Sequence, residues 1–197
     1  APETLAGLVL ADSQTATRDV LLLPLAPVFA DDAESGNVGW TAEPPWALTQ
    51  EASNSPTHSW TDSPGGNYAN NADTSLISPI FDLADFQGTT LSFRHIYDLE
   101  LGFDLGLVEV STDGSSWSPV RSFSQESQTA EWALEQIPLP MLDGAATAQF
   151  RFRLDSDGGT TRDGWHVDDI VLEAAQVSLF IDGFESGNTS RWTGSVP

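Results

Sequence analysis

Residues 150–154 of the chain read Phe150-Arg151-Phe152-Arg153-Leu154, with large apolar and charged side chains in strict alternation. Successive side chains of a β-strand point to opposite faces of a sheet. The stretch therefore predicts a strand whose two phenylalanines and leucine face a core while its two arginines face solvent. Residues 91–97, Leu-Ser-Phe-Arg-His-Ile-Tyr, repeat the pattern and place Leu91, Phe93, His95 and Tyr97 on one face.

Short apolar and β-branched runs continue along the chain, separated by clusters of Gly, Pro, Asn, Asp and Ser, and helical periodicity is nearly absent. About ten such runs predict an all-β protein in which two antiparallel sheets stack as a sandwich. The predicted strands are Leu5–Leu10, Asp19–Leu25, Trp46–Gln50, Leu76–Ile80, Thr90–Asp98, Leu105–Thr112, Val120–Ser124, Trp132–Pro138, Ala148–Asp155 and Trp165–Leu172.

An internal repeat divides the chain. The segment from Val28 to Asn37 recurs from Leu179 to Asn188, and each copy is followed by Trp-Thr. A spacing of about 150 residues is far too long for a solenoid. We therefore expect three parts: residues 1–27 as an N-terminal hairpin or the tail of an upstream domain, residues 28–175 as the main domain, and residues 176–197 as a C-terminal segment that repeats the domain's opening motif.

The charge of the chain excludes several classes of function. Twenty-nine acidic residues stand against seven arginines and no lysine, for a net charge of −22. Such a chain repels nucleic acid and anionic membranes, because phosphate binding needs cationic side chains. No apolar run is long enough to insert in a membrane. Cysteine is absent, and the spacing of His58, His95 and His166 does not match a zinc site.

Acidic residues concentrate in three loop-like segments, at 31–36, 61–73 and 163–170. Calcium takes six to eight oxygen ligands from carboxylates, amides and carbonyls, and loops rich in Asp, Asn and Gly supply them. The first and last strands of a sandwich are often neighbours, so we expect Glu34 to meet Asp168 or Asp169. Asp73 closes the second segment and is a further candidate ligand. The alternative is that these are turn carboxylates that cap their own backbones.

An ordered set of motifs resembles the MAM-like jelly-roll domains of secreted bacterial proteins. The resemblance covers roughly residues 28–173, and no single motif carries it. The motifs lie at Phe29–Trp40, Ser59–Ser63, Leu76–Pro79, Leu91–His95, Val108–Gly114, Phe150–Leu154 and Asp163–Ile170. One departure is Ala33, where the family usually has Phe.

The resemblance implies a jelly roll whose first and last strands are joined by a cation, with matching acidic positions at Asp32, Glu34, Asp62, Asp168 and Asp169. Such domains commonly follow the catalytic domain of immune-inhibitor-A-type metalloproteases and bacterial subtilisin-like proteases. The function it implies is that of a non-catalytic, calcium-stabilised accessory domain of a secreted bacterial protein. Its partners would be an upstream catalytic domain and an extracellular protein or glycan.

Two other functions stay open from the residues alone. A carbohydrate-binding module needs exposed aromatic rings that stack on sugars, and Trp60, Tyr68 and Trp117 are the candidates because they flank turns. A hydrolase would need a nucleophile and its base, or two facing carboxylates. The chain has no Gly-x-Ser-x-Gly or His-Glu-x-x-His motif, so we predict no enzymatic activity.

Overall fold

The computed structural model describes residues 24–124 and 128–177. In these residues two antiparallel sheets form a sandwich, which confirms the predicted all-β jelly roll. One sheet contains β1 (Ala26–Asp31), β3 (Ala47–Thr49), β4 (Ser59–Thr61), β6 (Phe86–Asp98), β9 (Gln128–Pro138) and β11 (Gly164–Gln176). The other contains β2 (Thr41–Ala42), β5 (Asp73–Ile77), β7 (Leu105–Ser111), β8 (Ser118–Phe123) and β10 (Gln149–Asp155), and a 3-10 turn spans Pro140–Leu142.

Strand β11 organises the first sheet. Its order is β3-β4-β11-β6-β9, and β1 also pairs with β11. The short β4 pairs with β11 at His166 and Val167, whereas β1 pairs with it from Ile170 to Ala174. The second sheet has the order β2-β5-β10-β7-β8. The first strand of the domain therefore lies beside the last, as the sequence predicts.

The alternating stretches behave as predicted. Phe150, Phe152 and Leu154 are fully buried on β10, and Leu91, Phe93, His95 and Tyr97 line the inner face of β6. The structure adds β1, β2 and β4, which the sequence analysis does not identify as strands, and β5 starts at Asp73 rather than Leu76. The predicted strand Leu5–Leu10, most of Asp19–Leu25 and the repeat from Leu179 lie outside the described residues, so the proposed division into three parts stays a prediction.

Trp165 on β11 lies at the centre of the core. Its ring centroid is 5.4 Å from that of Phe152 and 5.5 Å from that of Phe123, both on the opposite sheet. Gly106 on β7 makes room for it, because a Cβ at that position would lie 3.0 Å from Trp165 Cε3. A side chain there would push the two sheets apart. Within the described residues, no helix is long and apolar enough to cross a membrane.

A buried carboxylate holds β1 to the core. Asp31 is 4% exposed, and its Oδ2 accepts hydrogen bonds from the indole Nε1 of Trp40 at 2.6 Å and of Trp60 at 3.0 Å. Its Oδ1 accepts a hydrogen bond from the backbone N–H of Ala33 at 2.9 Å. Ala33 has φ 62°, so the chain turns sharply out of β1 at that point. One carboxylate therefore fixes both the end of the first strand and two core tryptophans.

We predict that Asp31→Asn lowers the free energy of unfolding by about 2 kcal/mol, because the amide has one acceptor oxygen where Asp31 uses two, and its NH2 group faces either the indole donors or the N–H of Ala33. Urea denaturation followed by tryptophan fluorescence measures the change. Asp85→Asn, at an exposed carboxylate just before β6, is the matched control and should leave the midpoint unchanged. Equal midpoints for the wild type and Asp31→Asn would contradict this role of Asp31.

Candidate functional site

Four of the predicted metal ligands lie near one another where β1 ends beside β11. We call Asp32, Glu34, Asp168 and Asp169 the terminal-strand cluster. Each of the four residues contacts the loop formed by residues 54–58, three through the side chain and Asp32 through its backbone carbonyl. Because β1 pairs with β11 up to Asp31 and Ile170, the pairing brings residues more than a hundred positions apart to the same end of the sheet.

Asp168 is the innermost member of the cluster and is fully buried. Its Oδ2 accepts hydrogen bonds from the backbone N–H of Asn54 at 2.7 Å and of Ser55 at 3.0 Å. Its Oδ1 accepts from the backbone N–H of Asp169 at 2.7 Å. Desolvation nevertheless raises the pKa of this carboxyl above its usual value. The charge on Asp168 is therefore only partly compensated by the hydrogen bonds it receives.

Glu34 lies on the other side of the 54–58 loop. Its Oε1 accepts from the backbone N–H groups of Thr57 and His58, the latter at 2.6 Å. His58 Nδ1 is 3.3 Å from Glu34 Oε2. Desolvation acts to raise the pKa of Glu34, but the hydrogen bonds from His58 and Thr57 together outweigh it and the pKa is lowered. Glu34 is thus held as a carboxylate.

Asp32 and Asp169 complete the cluster. The backbone carbonyl of Asp32 accepts from Ser55 Oγ at 3.2 Å, and Asp169 Oδ2 accepts from Asn54 Nδ2 at 2.5 Å. Asp169 has φ 47°, a left-handed conformation that is uncommon for a residue with a side chain. Together with Ala30, Asp31, Ile170 and Val171, these two aspartates line a hollow of about 210 Å³.

The donor set of the cluster suits a hard cation. It offers carboxylate, hydroxyl and carbonyl oxygens, which are the ligands that calcium prefers. Among the residues that the structure describes, no arginine forms an ion pair with any of the four acidic side chains, and His58 is the one basic group in contact. The residues present are of the kind that calcium takes, although among the described residues the ligand atoms of three carboxylates lie within 4.8 Å of one another at Glu100, Asp104 and Asp157 and not in this cluster.

The structure does not place Asp62 with the cluster. This residue follows β4, is fully buried, and accepts a hydrogen bond at Oδ1 from the backbone N–H of Trp165 at 2.7 Å. Its Oδ2 has no hydrogen-bond partner among the described residues. Desolvation raises the pKa of Asp62 to about 7. Gly164 packs directly on this carboxylate, because a Cβ there would lie 2.6 Å from Asp62 Oδ1.

Asp73 also lies apart from the cluster, on β5 of the opposite sheet. Its Oδ1 is 2.6 Å from Arg153 Nε on β10, in an exposed cross-strand ion pair. The same outer face carries Glu109, whose Oε2 is 2.6 Å from an Arg151 side-chain nitrogen. The hydrogen bond from Arg153 lowers the pKa of Asp73. Asp73 therefore belongs to a surface ion pair of the second sheet.

Two of the three aromatic residues proposed for sugar binding are buried. Trp60 and Tyr68 are each 3% exposed, so neither ring is on the surface to stack on a sugar, although residues 64–67 between them are exposed. Trp60 donates to Asp31 inside the core, and the Tyr68 hydroxyl donates to Asp104 Oδ2 at 2.5 Å. Trp117 is half-buried, and the Arg151 guanidinium lies 4.5 Å from its ring centroid. A cation–π contact thus already occupies one face of that ring.

A second acidic group is absent from the sequence-based predictions. Glu100, Asp104 and Asp157 each place a carboxylate oxygen within 4.8 Å of the others. Asp104 is fully buried, and besides Tyr68 it accepts from the backbone N–H of Asp157 at 2.8 Å. Glu100 accepts from the backbone N–H of Thr160 at 3.0 Å. These hydrogen bonds tie the β6–β7 loop to the β10–β11 loop. The run Asp155-Ser156-Asp157-Gly158-Gly159 is the sequence signal that marks this group.

The sequence likewise does not reveal a cleft between the edge strands β8 and β9. It has a volume of about 490 Å³ and is lined by residues of β6, β8 and β9, including His95, Tyr97, Arg121 and Glu135. Arg121 Nε lies 2.9 Å from Glu135 Oε1, so an ion pair joins the two sheets across this edge. The sequence shows His95 and Tyr97 only as members of an inward face, and it does not reveal that this face is open at one edge.

One Ser-His-Asp arrangement lies beside β4. Ser59 Oγ is 3.3 Å from His166 Nδ1, and His166 Nε2 is 3.6 Å from Asp163 Oδ2. A catalytic serine must direct its proton to the histidine and expose its oxygen to substrate. Ser59 is fully buried, and its hydroxyl donates instead to the carbonyl of Ala52 at 2.7 Å. In this arrangement the Ser59 hydroxyl makes a structural hydrogen bond to the backbone and does not donate to His166.

A family model and one curated protein each match part of the chain. Residues 106–173 match the family model of Reelin subrepeat B. The chain is 34% identical over 108 residues to Bacillopeptidase F of Bacillus subtilis, and the match covers 54% of the chain and 7% of that protein. The chain thus corresponds to a small part of a much longer relative.

Two solved structures have the same fold. The K3 cleaved adhesin domain of Lys-gingipain from Porphyromonas gingivalis superposes with a TM-score of 0.56 at 21% identity, over 75% of this chain and 98% of that domain. The CBM22-1 xylan-binding domain from Paenibacillus barcinonensis superposes with a TM-score of 0.51 at 13% identity, over 80% of this chain and all of that domain. At these identities the likeness establishes the β-sandwich architecture.

The buried Asp62 predicts a pH dependence of stability. Its folded-state pKa of about 7 lies above the ordinary value of 3.8 for an aspartate, so the folded state binds the proton more tightly than the unfolded state does. The contribution of Asp62 is therefore favourable below about pH 4 and is lost as the pH rises to about 7, with a slope of up to roughly 1.4 kcal/mol per pH unit.

We expect Asp62→Asn to gain stability relative to the wild type as the pH rises from 5 to 8, because the amide carries no charge to bury. Urea denaturation in EDTA at each pH measures the difference between the two proteins. Asp85→Asn should show a constant difference across the range. A difference for Asp62→Asn that is also constant would contradict the raised pKa.

Proposed function

We propose that this chain is a non-catalytic, calcium-stabilised accessory domain of a secreted bacterial protease, in which it contributes attachment to a substrate or surface. The similarity to part of Bacillopeptidase F and the fold shared with an adhesin domain of Lys-gingipain support this assignment. The buried, proton-donating geometry of Ser59 argues against a serine-based hydrolase at the one triad-like arrangement found in the described residues.

The proposal that calcium stabilises the domain is supported by the terminal-strand cluster. Four acidic residues from the first and last strands converge on the 54–58 loop without an arginine among their described partners. Asp168, Asp169, Glu34 and Asp32 would hold the ion, which would supply positive charge where the chain supplies none. Bound calcium would tie β1 to β11 and fix the 54–58 loop against both.

A ligand that binds only the folded state stabilises it by mass action, by about 2.7 kcal/mol at a hundredfold excess over Kd. For a domain of this size that corresponds to roughly 5–10 °C in melting temperature. We therefore expect EDTA to lower the melting temperature by several degrees and calcium to restore it. Differential scanning calorimetry of the full chain with EDTA and with 2 mM calcium, at roughly a hundredfold excess, measures this.

Glu34→Gln and Asp169→Ala should each remove the response to calcium, since they delete ligands of the proposed ion. Asp73→Asn is the matched control, because Asp73 lies on the opposite sheet and pairs with Arg153; it should keep the full calcium response. A wild-type melting temperature that is the same in EDTA and in calcium would refute the calcium proposal.

Carbohydrate binding is the second candidate function, and the edge cleft between β8 and β9 is the observation that favours it. The cleft combines aromatic rings with hydroxyl, imidazole and charged groups, which is the mixture that a sugar requires. The fold is also shared with a xylan-binding domain. A panel of soluble neutral oligosaccharides, screened by shifts in melting temperature, tests this function. If no sugar at millimolar concentration shifts the transition, the candidate is rejected.

A further inference from the structure

The edge cleft lies where the inner face of β6 reaches the edge of the sandwich. His95 and Tyr97 on the inner face of β6 form part of its wall, and Phe123 on β8 forms another part. The Phe123 ring centroid lies 5.5 Å from that of Tyr97 and 4.6 Å from that of His95. Trp165 Nε1 donates to His95 Nδ1 at 3.2 Å from the core side.

Two buried polar side chains direct donors at this cleft without a protein partner. His95 is 1% exposed and Tyr97 is 5% exposed. Because His95 Nδ1 accepts from Trp165, the proton of the neutral ring is on Nε2. Neither His95 Nε2 nor the Tyr97 hydroxyl has a hydrogen-bond partner among the described residues, and both side chains line the cleft. Donors that face an open cleft without a protein partner are available to a ligand that supplies acceptors in place of water.

The charge of the cleft is balanced. Arg121 and Glu135 form one ion pair across it, and burial together with the nearby Arg121 lowers the pKa of His95 to about 4, so the imidazole is neutral near pH 7. An anionic ligand would meet a chain of net charge −22, and a cationic one would have to displace Arg121 from its carboxylate. A neutral ligand meets neither obstacle.

Aromatic rings beside alternating donors and acceptors match the chemistry of a sugar. A pyranose has apolar C–H faces, which pack on aromatic rings, and a rim of hydroxyl groups. Ser122 and Ser124 add hydroxyl groups to the lining, and Ser124 Oγ already accepts from the backbone N–H of Gly102 at 2.8 Å, which leaves its proton available to donate. The volume of about 490 Å³ lies within the range of small-ligand sites.

We propose that the edge cleft binds a neutral oligosaccharide, with Tyr97 and His95 donating to its oxygens and the Arg121–Glu135 pair bracketing its hydroxyl groups. The inference rests on carbohydrate binding, the second candidate function, and assigns it to a site that excludes Trp117, Trp60 and Tyr68.

Isothermal titration calorimetry of the full chain with gluco-, xylo-, galacto- and manno-oligosaccharides of two to six residues tests the proposal. We expect at least one series to bind. Tyr97→Phe, which keeps the ring and removes the hydroxyl, and Glu135→Gln, which breaks the ion pair, should each weaken binding by about tenfold or more. Glu173→Gln, at the far end of β11, is the matched control and should bind like the wild type.

The outcomes separate the cleft from carbohydrate binding in general. If a sugar binds the wild type and both Tyr97→Phe and Glu135→Gln bind it within twofold of the wild type, glycan binding stands and the cleft is rejected; Trp117→Ala then tests the outer face. If no sugar in the panel binds, both are rejected. As a measurement that needs no variant, the His95 Nε2 resonance in the wild type should shift on titration with the bound sugar, and a constant resonance would overturn the assignment.

Discussion

The Asp31 carboxylate, accepting hydrogen bonds from the indoles of Trp40 and Trp60, is the interaction on which the rest of the sandwich depends. Trp40 packs on Phe150 and Phe152 of β10, and Trp60 belongs to β4 beside β11. One buried charge thus connects the first strand, the last strand and the opposite sheet. Without it, β1 would be an edge segment with little to define where it stops.

The same carboxylate positions the terminal-strand cluster. Asp31 Oδ1 holds the N–H of Ala33, so the chain turns between Asp32 and Glu34 and directs both toward the 54–58 loop. On β11 the left-handed Asp169 makes a comparable change of direction beside Asp168. The core therefore orients the acidic residues, and their clustering follows from strand pairing and two local turns. Because the backbone N–H of Ala33 makes the contact with Asp31, an alanine at position 33 is sufficient for the geometry of the carboxylates.

Strand rhythm was predictable from the sequence wherever a long strand has one buried face. Residues 150–154 and 91–97 alternate because one side of each strand faces the core and the other faces solvent. The alternation therefore predicts both the strand and its buried face. Strand β4 is three residues long and buried throughout, so no alternation exists for it to show. For this reason the sequence makes Trp60 a candidate for sugar binding, because the neighbouring residues 62–66 are typical of a turn. Its burial depends on a hydrogen bond to Asp31, which is distant in sequence. The sequence places Asp62 among the other acidic residues. In the fold, β4 pairs with β11, and Asp62 therefore lies beside the backbone N–H of Trp165.

Charge is distributed over the fold in a way that links both candidate functions. The arginines of β10 neutralise Glu109 and Asp73 on the outer face of the second sheet, and Arg121 neutralises Glu135 at the edge cleft. The terminal-strand cluster, in contrast, receives backbone N–H groups and one histidine. Hydrogen bonds from neutral donors only partly offset the repulsion among close carboxylates. A chain with so few cations must leave some carboxylates without one, and it does so at the ends of its strands, where loops can supply further oxygens. Under the calcium proposal, neutralisation there comes from solution, whereas the edge cleft already contains its counter-charge and is suited to a ligand that has none.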